Sequence, residues 1–118
     1  MNEPVEFVWR YATNHPEGFT LNIQTQQPVT KGISVSYYAT QNSFGKESLF
    51  WVVEHAQDHE SIVGGWLNES DSLYYFDSDK VFPVTELDEA IEFALENEQY
   101  AVYDITNDSV IWVSEYVE

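Results

Sequence analysis

Two apolar runs face each other across a polar turn between Ile62 and Phe82. Ile62-Val63-Gly64-Gly65-Trp66-Leu67 leads into Asn68-Glu69-Ser70-Asp71, and Leu73-Tyr74-Tyr75-Phe76-Asp77 follows. Apolar runs flanking a turn cluster predict a β-hairpin. Gly64 and Gly65 inside the first run predict a bulge or a close backbone approach. A helical pattern lies on either side of the hairpin, at about 43–58 and 85–97. In the first, Leu49, Val52, Val53 and Ala56 fall at i, i+3, i+4 and i+7, which is one helical face. Asn42 or Ser43 is positioned to cap it. Trp51 points away from that face, toward the side carrying Glu47, Glu54 and Asp58. It either packs on a second element or anchors a partner.

In the second helix Leu87, Ala90, Ile91, Ala94 and Leu95 make the apolar stripe. Thr85 is the expected N-cap, and Glu86, Asp88 and Glu89 occupy the first turn, where the helix dipole favours anions. Asn97 is the expected stop. Elsewhere the period is two. Val5, Phe7, Trp9 and Tyr11 alternate with Glu6, Val8 and Arg10 and predict a short first strand. Asn14–Gly18 reads as a loop, Phe19–Ile23 as a strand and Gln24–Lys31 as a connection. Ile33, Val35, Tyr37 and Ala39 share one face of a strand, with Ser34, Ser36 and Tyr38 on the other. Tyr100–Ile105 and Ser109–Val113 form a second hairpin about Thr106-Asn107-Asp108.

The expected fold is one α+β domain over 1–118: a mostly antiparallel sheet with two helices on one face. From Gly32 to Ile105 the order is β-α-β-β-α-β, the ferredoxin-like split arrangement, with extra strands at both ends. Leu49, Val52, Val53, Leu87, Ile91 and Leu95 should form the core. The opposite sheet face should carry aromatics such as Tyr38, and a bare face there is a candidate dimer or partner surface.

Charge changes the picture more than composition does. Asp and Glu number 21 against 4 Lys and Arg, for a net charge of −17. Phosphate binding draws on Lys and Arg, so direct contact with nucleic acid is not expected, and anionic membranes would repel the chain. A basic protein is the natural electrostatic match, although high charge also serves solubility alone. With no cysteine there is neither a disulfide framework nor a thiolate metal site. Met1-Asn2-Glu3-Pro4 does not begin a signal peptide. No apolar stretch approaches the roughly 20 residues of a membrane span. A cytoplasmic protein is therefore expected.

Candidate chemistry is sparse. His55 and His59 sit at i, i+4, a metal-binding spacing on a helix, but Ala56 stands where a metalloprotease motif has Glu and no third ligand is evident. Asp77 and Asp79 are a carboxylate pair of the kind that does acid–base work or holds a hard cation. Such a pair needs a pocket and a third partner, neither legible in the sequence. No nucleophile elbow is present. No catalytic residue, metal or cofactor is assigned, and an enzyme is not the expectation.

The outer face of the second helix carries a different signal. Asp88, Glu89, Glu92 and Glu96 project opposite the apolar stripe, and Glu98 follows. Asp88–Glu92 and Glu92–Glu96 are like-charge i, i+4 pairs, each costing roughly 0.2–0.5 kcal/mol. From Val81 onward there are ten acidic residues and no Lys or Arg, the C-terminal hairpin region adding Asp104, Asp108, Glu115 and Glu118. Carboxylates one helical turn apart are about 6 Å from each other, comparable to phosphates along one nucleic-acid strand.

The run Val63-Gly64-Gly65-Trp66-Leu67, with Tyr74-Tyr75-Phe76-Asp77, Ala90-Ile91 and Asn97-Glu98-Gln99-Tyr100-Ala101-Val102-Tyr103-Asp104, resembles small uncharacterised proteins of phages, plasmids and gut bacteria. The likeness covers about the last two-thirds of the chain and transfers no site. The charge profile is similar to that of DNA-mimic anti-restriction and anti-CRISPR inhibitors. Together these imply a mobile-element protein: a non-enzymatic inhibitor or decoy for a basic, nucleic-acid-binding host protein. Its expected contacts are Asp88, Glu89, Glu92, Glu96, Glu98, Asp104 and Asp108, with Trp51 as apolar anchor. The alternative is an interaction or accessory module whose charge only confers solubility.

Overall fold

The computed structural model describes residues 3–117. It is an α+β structure, with three helices packed on one face of an antiparallel sheet. The first helix, α1 (Glu3–Thr13), corrects the expected strand over 5–11. Val5, Val8 and Ala12 recur at helical spacing and are fully buried. Glu3 and Glu6 occupy the first turn and Arg10 the last, as the helix dipole prefers. Pro4 sits near the helix start, where its missing N–H costs nothing. The alternation of Phe7, Trp9 and Tyr11 arises because these rings only flank the buried valines, partly covered, around the edge of the core.

The strands are β1 (Phe19–Asn22), β2 (Gln27–Pro28), β3 (Ile33–Ser36), β4 (Ser43–Phe44), β5 (Ile62–Asn68), β6 (Leu73–Phe82), β7 (Ala101–Asp104) and β8 (Ser109–Trp112). The expected connection over 24–31 thus contains the short hairpin partner of β1. The remaining helices are α2 (Gly45–Gln57) and α3 (Leu87–Glu96). The sheet order is β2-β1-β5-β6-β3-β7-β8, with β4 also on β6. Long β6 organises it. One of its edges pairs with β5; the other pairs with β4 at Tyr75 and Phe76 and with β3 from Asp79 to Phe82.

Parity along β6 places the layers. Phe76 packs with Val5, Val8, Leu49, Val52 and Val53 of α1 and α2, while Phe82 packs with Ala90, Ile91 and Ala94 of α3. Six residues apart, the two phenylalanines share one face of the strand, so all three helices cover the same side. Asp77 and Asp79 consequently point to the other side.

Several local expectations are corrected. Tyr38 leaves the sheet and begins a 3-10 turn over Tyr38–Thr40. Trp66, Tyr75, Tyr103 and Trp112 stand on the uncovered face instead, by register with one another and with Asp77 and Ser34. The residue capping α2 is Phe44, and that capping α3 is Glu86; neither cap has a side-chain hydrogen bond. Thr85 lies in a 3-10 turn over Val84–Glu86. Leu95, expected in the core, is half exposed. The glycine pair makes no bulge, since β5 keeps unbroken register with β1 and β6. Each glycine makes room for side chains of neighbouring strands. A Cβ on Gly65 would meet the Phe19 ring at 2.7 Å, and one on Gly64 would meet Asp77 Oδ1 at 2.7 Å.

Candidate functional site

The acidic residues fall into three environments. Asp88, Glu89, Glu92 and Glu96 are exposed along α3, and Glu98 is exposed just beyond it. The apolar side of the helix, through Ala90, Ile91 and Ala94, is fully used by the core, which turns these carboxylates outward. Among the described residues the one ion pair is Lys46–Glu6, at 2.7 Å. Lys80 lies over the Phe82 and Phe93 rings, 5.3 and 5.2 Å from their centroids. Among the described residues, therefore, no ion pair neutralises the α3 carboxylates.

The C-terminal hairpin does not extend that surface. Asp104 is buried on the helix side of the sheet, where its Oδ1 accepts the Asn107 backbone N–H at 3.1 Å and its Oδ2 accepts the Asn107 amide at 2.7 Å. It closes the β7–β8 turn. Asp108 is exposed and accepts the Tyr103 hydroxyl proton from the opposite side of the sheet. Its carboxylate and partial burial push the Tyr103 phenol up, the hydrogen bond foremost. Glu115 is exposed in a closing 3-10 turn, and Glu118 lies outside the described residues. Trp51 is half exposed on α2; its indole N–H donates to the Ala39 carbonyl at 3.2 Å and its ring meets His55 edge-on.

Because acid predominates, with one ion pair among the described residues to offset it, repulsion should be visible in solution. Raising sodium chloride from about 0.01 M to about 1 M shortens the screening length from about 30 Å to about 3 Å. The melting temperature should rise by several degrees over that range. A fall would show that local favourable pairs outweigh the net repulsion.

His55 and His59 are engaged within the fold. His55 is buried, its Nδ1 lies 2.6 Å from Ser78 Oγ, and its ring stacks on His59 at 4.0 Å between centroids. Burial first, then the neighbouring His59, lowers the His55 pKa against the raising pull of Asp58 and Glu60, which favours the neutral imidazole. His59 lies just past the end of α2, with Nδ1 2.7 Å from the His55 carbonyl oxygen. Among the described residues no group of three or more His, Cys, Asp or Glu converges on a metal position.

The carboxylate pair gains from the fold what the sequence could not supply. Asp77 and Asp79 stand two apart on the uncovered face of β6. Ser34 and Ser36 flank them on β3, and Gly64 lies opposite Asp77 on β5. The Ser36 hydroxyl donates to Asp77 Oδ2 at 2.9 Å. Asp79 is 4% exposed and its Oδ1 has no hydrogen-bond partner. Burial, then the charge of Asp77 and a hydrogen bond with it, push the Asp79 carboxyl well above the usual range, against a smaller lowering by Ser36 and Ser34. These residues form the floor of a groove of about 760 Å³, walled by Thr20, Val29 and Trp66 on one side and by Tyr103 and Val110 on the other. The sequence signal was the alternation that sets Ser34 and Ser36 opposite Ile33 and Val35, matched by Asp77 and Asp79 on another strand. Their adjacency required the strand order.

No family model, curated protein or solved structure matches this chain.

Proposed function

We propose that this protein is a non-enzymatic binding protein that engages a basic partner through the outer face of α3. The observation that carries this is the unneutralised row of Asp88, Glu89, Glu92 and Glu96, all exposed on one ten-residue helix. Fold stability gains nothing from Asp88–Glu92 and Glu92–Glu96, since like charges at i, i+4 repel. A row of carboxylates at phosphate-like spacing suits a protein whose own ligand is nucleic acid. The protein then acts as a decoy or inhibitor from a mobile element, occupying that site in a host cytoplasm. Asp104, buried in its turn, and Asp108, on the other side of the sheet, are not needed for this contact. Trp51 offers a half-exposed ring on the neighbouring helix, and interfaces draw much of their energy from a few such aromatics.

The same proposal includes a fold reading. Strands β5-β6-β3-β7 with α2 and α3 on one face follow the ferredoxin-like split pattern, to which α1, β1, β2, β4 and β8 are additions.

The test is a competition experiment with a basic partner captured from host lysate. This protein should displace the partner's DNA or RNA, and association should slow as salt rises. Glu92→Lys with Glu96→Lys should weaken binding by about tenfold or more, equal to about 1.4 kcal/mol, with the circular dichroism spectrum unchanged. Undiminished competition by the double variant would remove α3 from the interface. A partner that held nucleic acid and this protein together would end the decoy idea.

A further inference from the structure

The groove on the uncovered face is separate from the α3 surface and has its own chemistry. Asp79 lines the groove at 4% exposure, and its Oδ1 is buried without a partner. A buried polar atom without a partner costs free energy unless something meets it. Gly64 keeps the floor open. Any Cβ there would collide with the pair, standing 2.7 Å from Asp77 Oδ1. Two serine hydroxyls border the carboxylates, and Trp66, Tyr103 and Val110 supply apolar walls.

We propose that this groove binds an organic cation, an ammonium or guanidinium group carried on an apolar body, with Asp77 and Asp79 receiving the charge. Three observations select that class. The volume of about 760 Å³ lies in the range of small-molecule sites, and its mixture of apolar wall and a few convergent polar groups is what such sites have. Among the described residues no third His, Cys, Asp or Glu converges with the two carboxylates on a metal position, so they make a poor cage for a bare metal ion. Aromatic faces such as Trp66 and Tyr103 attract cations, and a net charge of −17 concentrates them around the molecule.

Binding is coupled to a proton. Without a cation the buried pair holds a proton to higher pH than a free carboxylate does, because burial and the charge of Asp77 oppose ionisation of Asp79. An incoming ammonium or guanidinium donates to the carboxylate pair and makes its ionised form favourable, and the displaced proton passes to solvent. The other titratable groups facing the groove are Tyr11, His15 and Glu17 from α1 and the turn after it, and Tyr103 and Asp108 from the C-terminal hairpin. Affinity should therefore rise with pH through the range in which the pair gives up its proton.

The experiment is calorimetric titration of the full chain with agmatine and with cadaverine, in two buffers of different ionisation enthalpy. Uncharged 1,5-pentanediol and calcium chloride are run alongside. The expected result is saturable one-to-one binding of at least one amine, with proton release to the buffer. Asp79→Asn and Asp77→Asn, both still folded by circular dichroism, should each bind at least tenfold more weakly. An acetylated peptide with a single arginine, tested in parallel, separates two sources of the same cation. Tighter binding of the peptide points to a protein side chain, tighter binding of the amines to a free metabolite, and either upholds the site. The proposal fails if neither amine nor peptide saturates, if the diol binds equally well, if calcium binds more tightly, or if both Asn variants bind like wild type.

Discussion

Replacing Phe76 with alanine should lower the unfolding free energy by about 3–5 kcal/mol, the range for truncating a buried phenylalanine. The ring is 2% exposed. It lies 6.1 Å from Trp9, 6.3 Å from Tyr74 and 6.5 Å from Phe19 between centroids, so it joins α1, β1 and β6 in one cluster. It also stands where β6 pairs on both edges, with Gly65 of β5 and Ser43 of β4. Collapse into the void is hindered on the sheet side, because the backbone there is held by ladders. A domain of this size has roughly 5–15 kcal/mol in total, so the variant should sit near the edge of folding at physiological temperature. Urea unfolding followed by tryptophan fluorescence reads the loss as a lower midpoint at unchanged slope. A cost below about 1 kcal/mol would mean that the cluster does not hold α1 to the sheet.

The second large effect has the opposite sign. Asp79→Asn should raise the melting temperature at neutral pH, by about 4 °C for each kcal/mol gained. The native carboxyl binds its proton more tightly than the unfolded chain does, because burial and Asp77 oppose its charge. Below the unfolded value, about 3.9, both states are protonated and nothing is lost. As pH rises above that, the unfolded chain gives up its proton while the native protein holds on. Stability then falls with pH until the folded value is passed. Asparagine keeps the shape, has no such titration, and can donate to Asp77. The gap between variant and wild type should therefore open upward from about pH 4, which a thermal series in several buffers measures. No gap at neutral pH, or a less stable variant, would mean that Asp79 is well satisfied as a carboxylate. A variant that is more stable yet loses the cation would show why a costly group stays in the floor of the groove.

Much of the architecture was determined by the chain's own periodicity. The stripes Leu49-Val52-Val53-Ala56 and Ala90-Ile91-Ala94 are buried as their spacing requires, since a helix brings every third and fourth residue to one face whatever surrounds it. The hairpins β5–β6 and β7–β8 follow from apolar runs broken by turn residues. The outward acid of α3 follows from the inward stripe of the same helix. Tertiary structure decided the rest. In residues 5–11 valines at helical spacing and aromatics at strand spacing coexist, and only packing of Val5 and Val8 on α2 and the sheet settles which period wins. Leu95 fits the stripe of α3 but reaches the helix end beyond the sheet's cover. Asp104 looks like one more surface acid until the register of β7 turns it inward to Asn107. Asp77 and Asp79 were bound by alternation to share a face of β6. Whether that face met water or buried a carboxyl depended on Ser34 and Ser36 arriving along one edge and Gly64 along the other. Those neighbours come from distant parts of the chain, so no local pattern encodes them; burial and the mutual repulsion of two carboxylates act only once the sheet has closed.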